Sequence, residues 1–234
     1  MNNPKPRNEL KYLVTDVQIA LIEPTLRSLM QSDQNAGPKG QYVVRSLYFD
    51  DLDGISYMEN ENGTEPREKF RLRIYDGSPS YIRLELKQKV HGKCIKHICP
   101  ITEAQCRELM AGRILENSTE YPPVLNKLLL KMKTTTLGPE CVVQYHRQPF
   151  VLPNSDLRVT LDKGLCSSPN TALFLQQELP LRPVLPTGRH LMEIKYDHYL
   201  PGFLSSALSI GHLSRTTFSK YYLCRKYSLK GTLK

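Results

Sequence analysis

Arg67, Lys69, Arg71 and Arg73 stand two residues apart, and Arg83, Glu85, Lys87 and Lys89 repeat the spacing a few positions on. Residues two apart in an extended chain point to the same side. The pattern therefore collects positive charge on one face, where like charges repel. An anion would relieve that repulsion. Arginine offers a planar fork for phosphate oxygens, and lysine a compact point charge. Tyr145 and Arg147 share a face in the same way, as do Arg158, Thr160 and Asp162, and Glu193 and Lys195 flank Ile194. The chemistry this suits is the holding of a polyanion, for which a chain of phosphates has a suitable shape.

Strands must carry these faces. Phe70, Leu72 and Ile74 alternate with the first cations, and Leu84 and Leu86 with the second set. A period of two on either side of Asp76-Gly77-Ser78-Pro79 predicts a hairpin with one apolar and one charged face. Further strands are expected from Arg7 to Tyr12, Tyr42 to Phe49, Cys94 to Ile101, Cys141 to Leu152, Leu157 to Leu165 and Arg189 to Tyr196. Thr15 or Asp16 can cap a helix with Ile19, Ile22, Leu26 and Leu29 on its apolar stripe. Thr102 and Gln105 read as a capping box. Pro122-Pro123 opens a helix through Val124 to Met132. Terminal helices are expected at Pro201 to Leu208 and Arg215 to Tyr227, and Asn170 to Gly188, with three prolines, reads as loops plus a strand.

The chain has 234 residues, enough for a single domain over 1–234 with a real core. A net charge of +9 favours an acidic partner. There is no Trp and there are only six Phe, which argues against a stacking platform for single-stranded nucleic acid, although 13 Tyr soften the objection. Six scattered Cys without a C-x-x-C pair suggest reduced thiols and a cytoplasmic setting. The N-terminus lacks the apolar core of a signal peptide, and no apolar run approaches the ~20 residues of a membrane span.

A charged sheet face is ordinarily a solvated outer face, usually mixed in sign. Here most strands are biased to Arg and Lys, with single acids among them. A closed barrel accounts better for the bias: a cationic tunnel inside, and an apolar outside covered by the interleaved amphipathic helices. Like charges around a narrow lumen are costly unless water or anions screen them.

The motifs Arg7-x-Glu9-x-Lys11-Tyr12, Arg45-Ser46-Leu47-Tyr48-Phe49-Asp50, Lys69-Phe70-Arg71-Leu72-Arg73-x-Tyr75, Leu84-Glu85-x-Lys87, Tyr145-x-Arg147, Arg158-Val159-Thr160-x-Asp162, Glu193-x-Lys195 and Ser219-Lys220-Tyr221 occur in this order. In that order the chain resembles, over nearly its whole length, the VTC domain, the polyphosphate polymerase branch of the triphosphate tunnel metalloenzyme (CYTH-like) superfamily. The resemblance implies an α+β fold: an eight-stranded antiparallel tunnel with helices packed outside. It implies transfer of the ATP γ-phosphate to inorganic polyphosphate. Lys11, Arg71, Arg73, Arg147, Arg158 and Lys195 would be catalytic, Lys69, Lys87, Lys96, Lys220 and Glu9 would bind substrate, and Glu193 would bind Mn²⁺ or Mg²⁺. Glu85 is a further helper, or else a counter-ion for lumen cations. No nucleic-acid partner is implied, and a membrane partner is compatible with it. Eukaryotic relatives add a phosphate-sensing domain and membrane helices, neither of which is visible here.

One departure bears on the reaction. Hydrolytic members of the superfamily begin Glu-x-Glu-x-Lys, whereas Arg7 replaces the first acid here. Hydrolysis needs a metal and an oriented water, and acids help to supply both. The substitution favours anion retention and transfer. A triphosphatase and a non-catalytic polyphosphate-binding or nucleic-acid-binding module remain the alternatives.

Overall fold

The computed structural model describes residues 7–116, 120–210, 212–217 and 219–231. The first half contains β1 (Asn8–Thr15), α1 (Asp16–Leu29), β2 (Gln31–Ser32), β3 (Tyr42–Asp50), α2 (Ile55–Glu61), β4 (Arg67–Tyr75), β5 (Ser78–Val90) and β6 (Lys93–Ile101). There follow α3 (Glu103–Met110), α4 (Pro123–Thr134), β7 (Gly138–Val151), β8 (Arg158–Ser168), β9 (Arg182–Pro183), β10 (Arg189–Tyr196), α5 (Gly202–Ile210) and α6 (Lys220–Gly231).

The strands make one antiparallel sheet whose main path is β1-β10-β8-β7-β3-β4-β5-β6. The two-residue strands β2 and β9 pair with β7 and β8 off that path. The sheet curls until its edges meet. Arg7 and Cys94 form an isolated antiparallel bridge, with reciprocal backbone hydrogen bonds of 3.2 and 3.4 Å. The expected eight-stranded tunnel is therefore observed.

Local sequence explains most of its parts. The β4–β5 hairpin turns on Asp76 and Gly77 alone, both at positive φ (51° and 69°). Two such residues match the right-handed twist of the flanking strands, which is why Asp-Gly suits this turn. Thr15 and Gln18 make a reciprocal capping box at α1, and Thr102 and Gln105 make one at α3. Pro123 starts α4, where its missing N–H costs nothing.

Apolar residues of the sheet point outward beneath helices. Leu72, Leu84 and Leu86 pack with α3 and α4, and Val159, Leu161 and Ile194 pack with α1 and α5. Each such buried side chain contributes roughly 1.5–3 kcal/mol. On α1, Ile19, Ile22 and Leu26 are buried as expected, but Leu29 is exposed and the C-cap Met30 turns inward in its place.

The last helix departs from expectation. It begins at Lys220, not Arg215. Arg215 instead bridges Tyr12, and the Thr216 N–H donates to the Lys11 carbonyl at 2.8 Å. These bonds tie Arg215 and Thr216 to β1 ahead of the helix. Helix α6 also packs on the lumen side of β3 and β7, where Tyr221 and Cys224 join Tyr48, Cys141 and Tyr145. Not every helix lies outside the tunnel. The stretch between β8 and β10 is held by Arg45, whose buried guanidinium donates to Gln144 at 2.7 Å and to the carbonyls of Phe174 (3.0 Å), Gln176 and Gln177 (3.3 Å).

Candidate functional site

The inward faces of the strands bring the predicted charges together in three linked groups. The first surrounds Glu85, which is fully buried. Arg71 donates to Glu85 Oε2 from Nε at 2.7 Å, Arg73 Nη1 lies 3.5 Å from the same oxygen, and Lys96 Nζ lies 2.5 Å from Oε1. Arg71 also donates to the Tyr48 hydroxyl (2.8 Å), and Arg73 to Ser46 (3.0 Å) and the Tyr145 hydroxyl (3.5 Å). Cross-strand register sets this up, since Arg71 stands opposite Glu85 and Arg73 opposite Ser46.

The second group contains Arg147 and Lys220. Arg147 forks onto both oxygens of Asp162 at 2.7 Å each. Lys220 Nζ lies 2.6 Å from Asp162 Oδ2 and donates to Glu193 Oε1 at 3.0 Å. Lys220 is therefore no surface lysine; α6 inserts it into the lumen. The third group joins β1 to β5 and β10. Lys87 donates to both Glu9 oxygens (3.0 and 2.8 Å), and Lys195 stands 3.5 Å from Glu193 and 3.9 Å from Glu9. Lys11, opposite Glu193 in register, shares their field.

These groups hold eight cations (Lys11, Arg71, Arg73, Lys87, Lys96, Arg147, Lys195, Lys220) against four carboxylates (Glu9, Glu85, Asp162, Glu193). The lumen is positive even after internal pairing. Arg158 and Lys69 stand at its margins. Arg158 meets Asp33 at 2.6 Å and donates to the Tyr42 hydroxyl at 3.0 Å. Lys69 donates to Asn60 and Ser219 (3.3 and 3.5 Å), and among the described residues no carboxylate lies within 4.0 Å of it.

The surplus shows in proton affinities. Burial, then Lys87, brings the Lys11 ammonium down to about 8. Burial, then Arg67, brings Lys69 to about 7. Lys96 is pulled both ways: burial, Arg71 and Arg73 outweigh Glu85 and bring it to about 7. Burial alone would raise the carboxyls, but the cations overcome it. Lys87 and Lys195 take Glu9 down to about 2, while Arg73 and Arg71 hold Glu85 well below the usual range, as Lys220 and Lys195 hold Glu193.

A profile of the VTC domain matches residues 6–229. The chain belongs to the VTC domain family. No curated protein matches it. Among solved structures, this VTC domain is similar to a Bacillus halodurans protein provisionally labelled an adenylate cyclase, with TM-score 0.58, 12% identity, and 93% of this chain and 96% of that one covered. A protein from Pyrococcus horikoshii gives TM-score 0.51 at 11% identity, with 94% and 99% covered. At such identities the likeness is one of fold. The fold is the one expected of the triphosphate tunnel (CYTH-like) superfamily, and the VTC domain match supports a phosphate-related function.

The donor set bears on the metal this superfamily implies. Among the described residues, no three His, Cys, Asp or Glu side chains cluster in a way that could hold a metal. Glu193 and Glu9 face the same lysines and feel each other's charge. One or two hard carboxylates suit a magnesium-like ion that takes its other ligands from phosphate and water. The residues fit a metal arriving with phosphate, not a protein cage.

Arg7 adds no loose cation to the lumen; its Nε donates to Asp197 at 2.8 Å at the rim, half-exposed. Asp162 and the tyrosines Tyr48 and Tyr145 emerged as parts of the site. The inward register of Arg158, Thr160 and Asp162 was the signal for the acid. The same alternation puts Tyr145 on the face of Arg147, but it does not single out Tyr48, because an aromatic on a strand reads equally well as core.

Proposed function

We propose that this VTC domain is a metal-dependent polyphosphate polymerase, transferring the γ-phosphate of ATP to the end of a polyphosphate chain in the tunnel. The observation that carries the reading is the excess of lumen cations over carboxylates on six strands and one helix. A phosphate chain supplies the missing negative charge. Arg71, Arg73 and Arg147 would fork onto phosphoryl oxygens, and Lys11, Lys87, Lys96, Lys195 and Lys220 would act as point charges around them. Lys69 and Arg158 would extend the row. When bound through Glu193, with Glu9 beside it, Mn²⁺ or Mg²⁺ would add Lewis-acid neutralisation of phosphoryl charge.

No side-chain nucleophile is required. A terminal oxygen of the acceptor chain attacks the γ-phosphorus, the bond from that phosphorus to the bridging oxygen breaks, and ADP leaves with the bonding electrons. The lumen residues position the two anions in line and neutralise the transferred group.

Transfer is favoured over hydrolysis by the carboxylates themselves. A general base that activates water works best with a pKa near the working pH. Glu9, Glu85, Asp162 and Glu193 are all shifted downward by neighbouring cations, which makes them weak bases. An acceptor phosphate is already an anion and needs no such help. Arg7, paired with Asp197 at the rim, does not bear on that choice.

The test is product analysis after incubation with ATP and Mn²⁺. Long polymer and ADP support the polymerase. Free phosphate without polymer supports a triphosphatase. Neither product, with polyphosphate still bound, supports a binding module. Competition between polyphosphate and single-stranded oligonucleotide for the tunnel checks the expectation that nucleic acid is no partner. Among the described residues no helix is long and apolar enough to cross a membrane. We place the domain in the cytoplasm, on the strength of its six cysteines, none of them in a disulfide.

A further inference from the structure

Arg83 stands out from the other lumen-face cations. It lies on β5 two residues outward from Glu85, opposite Arg73 across the β4–β5 ladder. Among the described residues no carboxylate lies within 4.0 Å of its guanidinium, whereas Arg71, Arg73, Arg147 and Arg158 each have one. Its Nε is buried and has no hydrogen-bond partner in the protein. Its carbon Cζ sits 5.2 Å from the centre of the Tyr75 ring and 4.7 Å from that of Tyr81, and one terminal nitrogen donates to the Tyr75 hydroxyl at 3.4 Å.

The surroundings continue around the rim. Tyr75 meets Tyr42 edge to face at 5.5 Å, and the Tyr42 hydroxyl accepts from Arg158. Arg158 also has a buried Nε without a partner. Two guanidinium groups with spare donors thus flank a tyrosine pair. Tyr81, the next inward-facing residue, is half-exposed, so the row ends in solvent. Stacking explains why a cation can rest between two rings, but it leaves the Nε donor unmet.

We propose that Arg83, held between Tyr75 and Tyr81, is an anion subsite at the tunnel rim that takes a phosphate of a long polyphosphate chain. The inference rests on the reading of the tunnel as a polyphosphate site and extends it to a residue that reading leaves out. One inward step along β5 separates Arg83 from Glu85, about 6.7 Å at the usual strand rise. The deep cations Arg71, Arg73 and Lys96 all converge on Glu85. A short anion seated on them has no need of Arg83. A longer chain that runs on towards the rim meets it, and the guanidinium edge gains the acceptor that the protein does not supply.

The experiment is calorimetric titration of wild type, Arg83→Gln and Arg83→Lys with tripolyphosphate and with long-chain polyphosphate at fixed salt. The expected result is about ten-fold weaker binding of the long chain by Arg83→Gln, with tripolyphosphate within about two-fold of wild type. Arg83→Lys recovers part of the long-chain affinity, because it keeps the charge and loses the fork. Equal losses for both anions, or no loss for either, overturn the subsite and leave Arg83 as a stacking contact. Wild type that binds neither anion overturns the tunnel reading itself, a result distinct from failure of the rim subsite.

Discussion

Arg147 and Asp162 face each other across β7 and β8 in a two-pronged pair, 2.7 Å on each prong, with Lys220 2.6 Å from the same carboxylate. Both partners are buried, so the acid fixes two cations that would otherwise repel. Removing one member of a buried pair commonly costs about 3–5 kcal/mol. Asp162→Ala should lose that amount in urea denaturation, with an unchanged dependence on urea. Added polyphosphate should restore part of it, because phosphate can occupy the place of the missing charge. A loss under about 1 kcal/mol would mean that the cations are screened some other way.

Lys11, Lys69 and Lys96 hold their protons less tightly than an ordinary lysine, at about 8, 7 and 7. The unfolded chain therefore binds more protons between those values and the usual lysine pKa. Stability of the ligand-free protein should rise with pH through that window, and the penalty is fully present below it. A bound phosphate chain reverses the preference by favouring the charged amines. Polyphosphate affinity should fall as pH climbs from about 7 to about 9, with proton uptake on binding. Titrations in buffers of different ionisation enthalpy measure the uptake, and proton release would contradict the assignment.

Glu193→Gln should weaken Mn²⁺ binding when nucleotide is present and leave the fold intact. An amide oxygen is a poorer ligand for a hard ion than a carboxylate. Lys220 retains Asp162 as its partner, which limits the structural cost. Unchanged Mn²⁺ affinity by calorimetry would remove Glu193 from the metal site.

Tyr221 donates to Asp50 and stacks on Tyr48 at 5.2 Å, next to Lys220 in the chain. Asp50 is held in turn by the backbone N–H groups of Ser56 (2.8 Å) and Tyr57 (3.2 Å) at the start of α2. Tyr221→Phe should cost about 1.5–3 kcal/mol. It should also speed amide exchange in α6 before any other helix. Uniform exchange across all helices would show that α6 is not tied at this point.

The hairpin and the capping box at Thr102 were legible because their signals are local: alternation, an Asp-Gly turn, and Thr and Gln three residues apart. At α1 the sequence offered Thr15 or Asp16 as the cap, and the structure settles on Thr15 with Gln18. The lumen face was legible because β-strand alternation carries it from strand to strand. The start of α6 was not. Arg215 to Tyr227 is rich in helix-tolerant residues, and what stops the helix is a bridge from Arg215 to Tyr12, two hundred residues away in sequence. β2 and β9 are two residues each, too short to show any period. Asp162 lay on the expected face, but its place between Arg147 and Lys220 depends on α6 entering the lumen, which no alternation encodes.

Lumen charge comes from both ends of the chain: Glu9 and Lys11 belong to the first strand, and Lys220 to the last helix. During synthesis the middle strands emerge with Asp162 and Glu193 already in place, well before the lysine that both contact. Domains fold as units while the chain grows at about 5–20 residues per second. For several seconds the nascent protein would carry two acids in a half-formed channel without one of their counter-ions. The channel wall can be laid down early, but Asp162 and Glu193 gain the lysine they share only once α6 has been made.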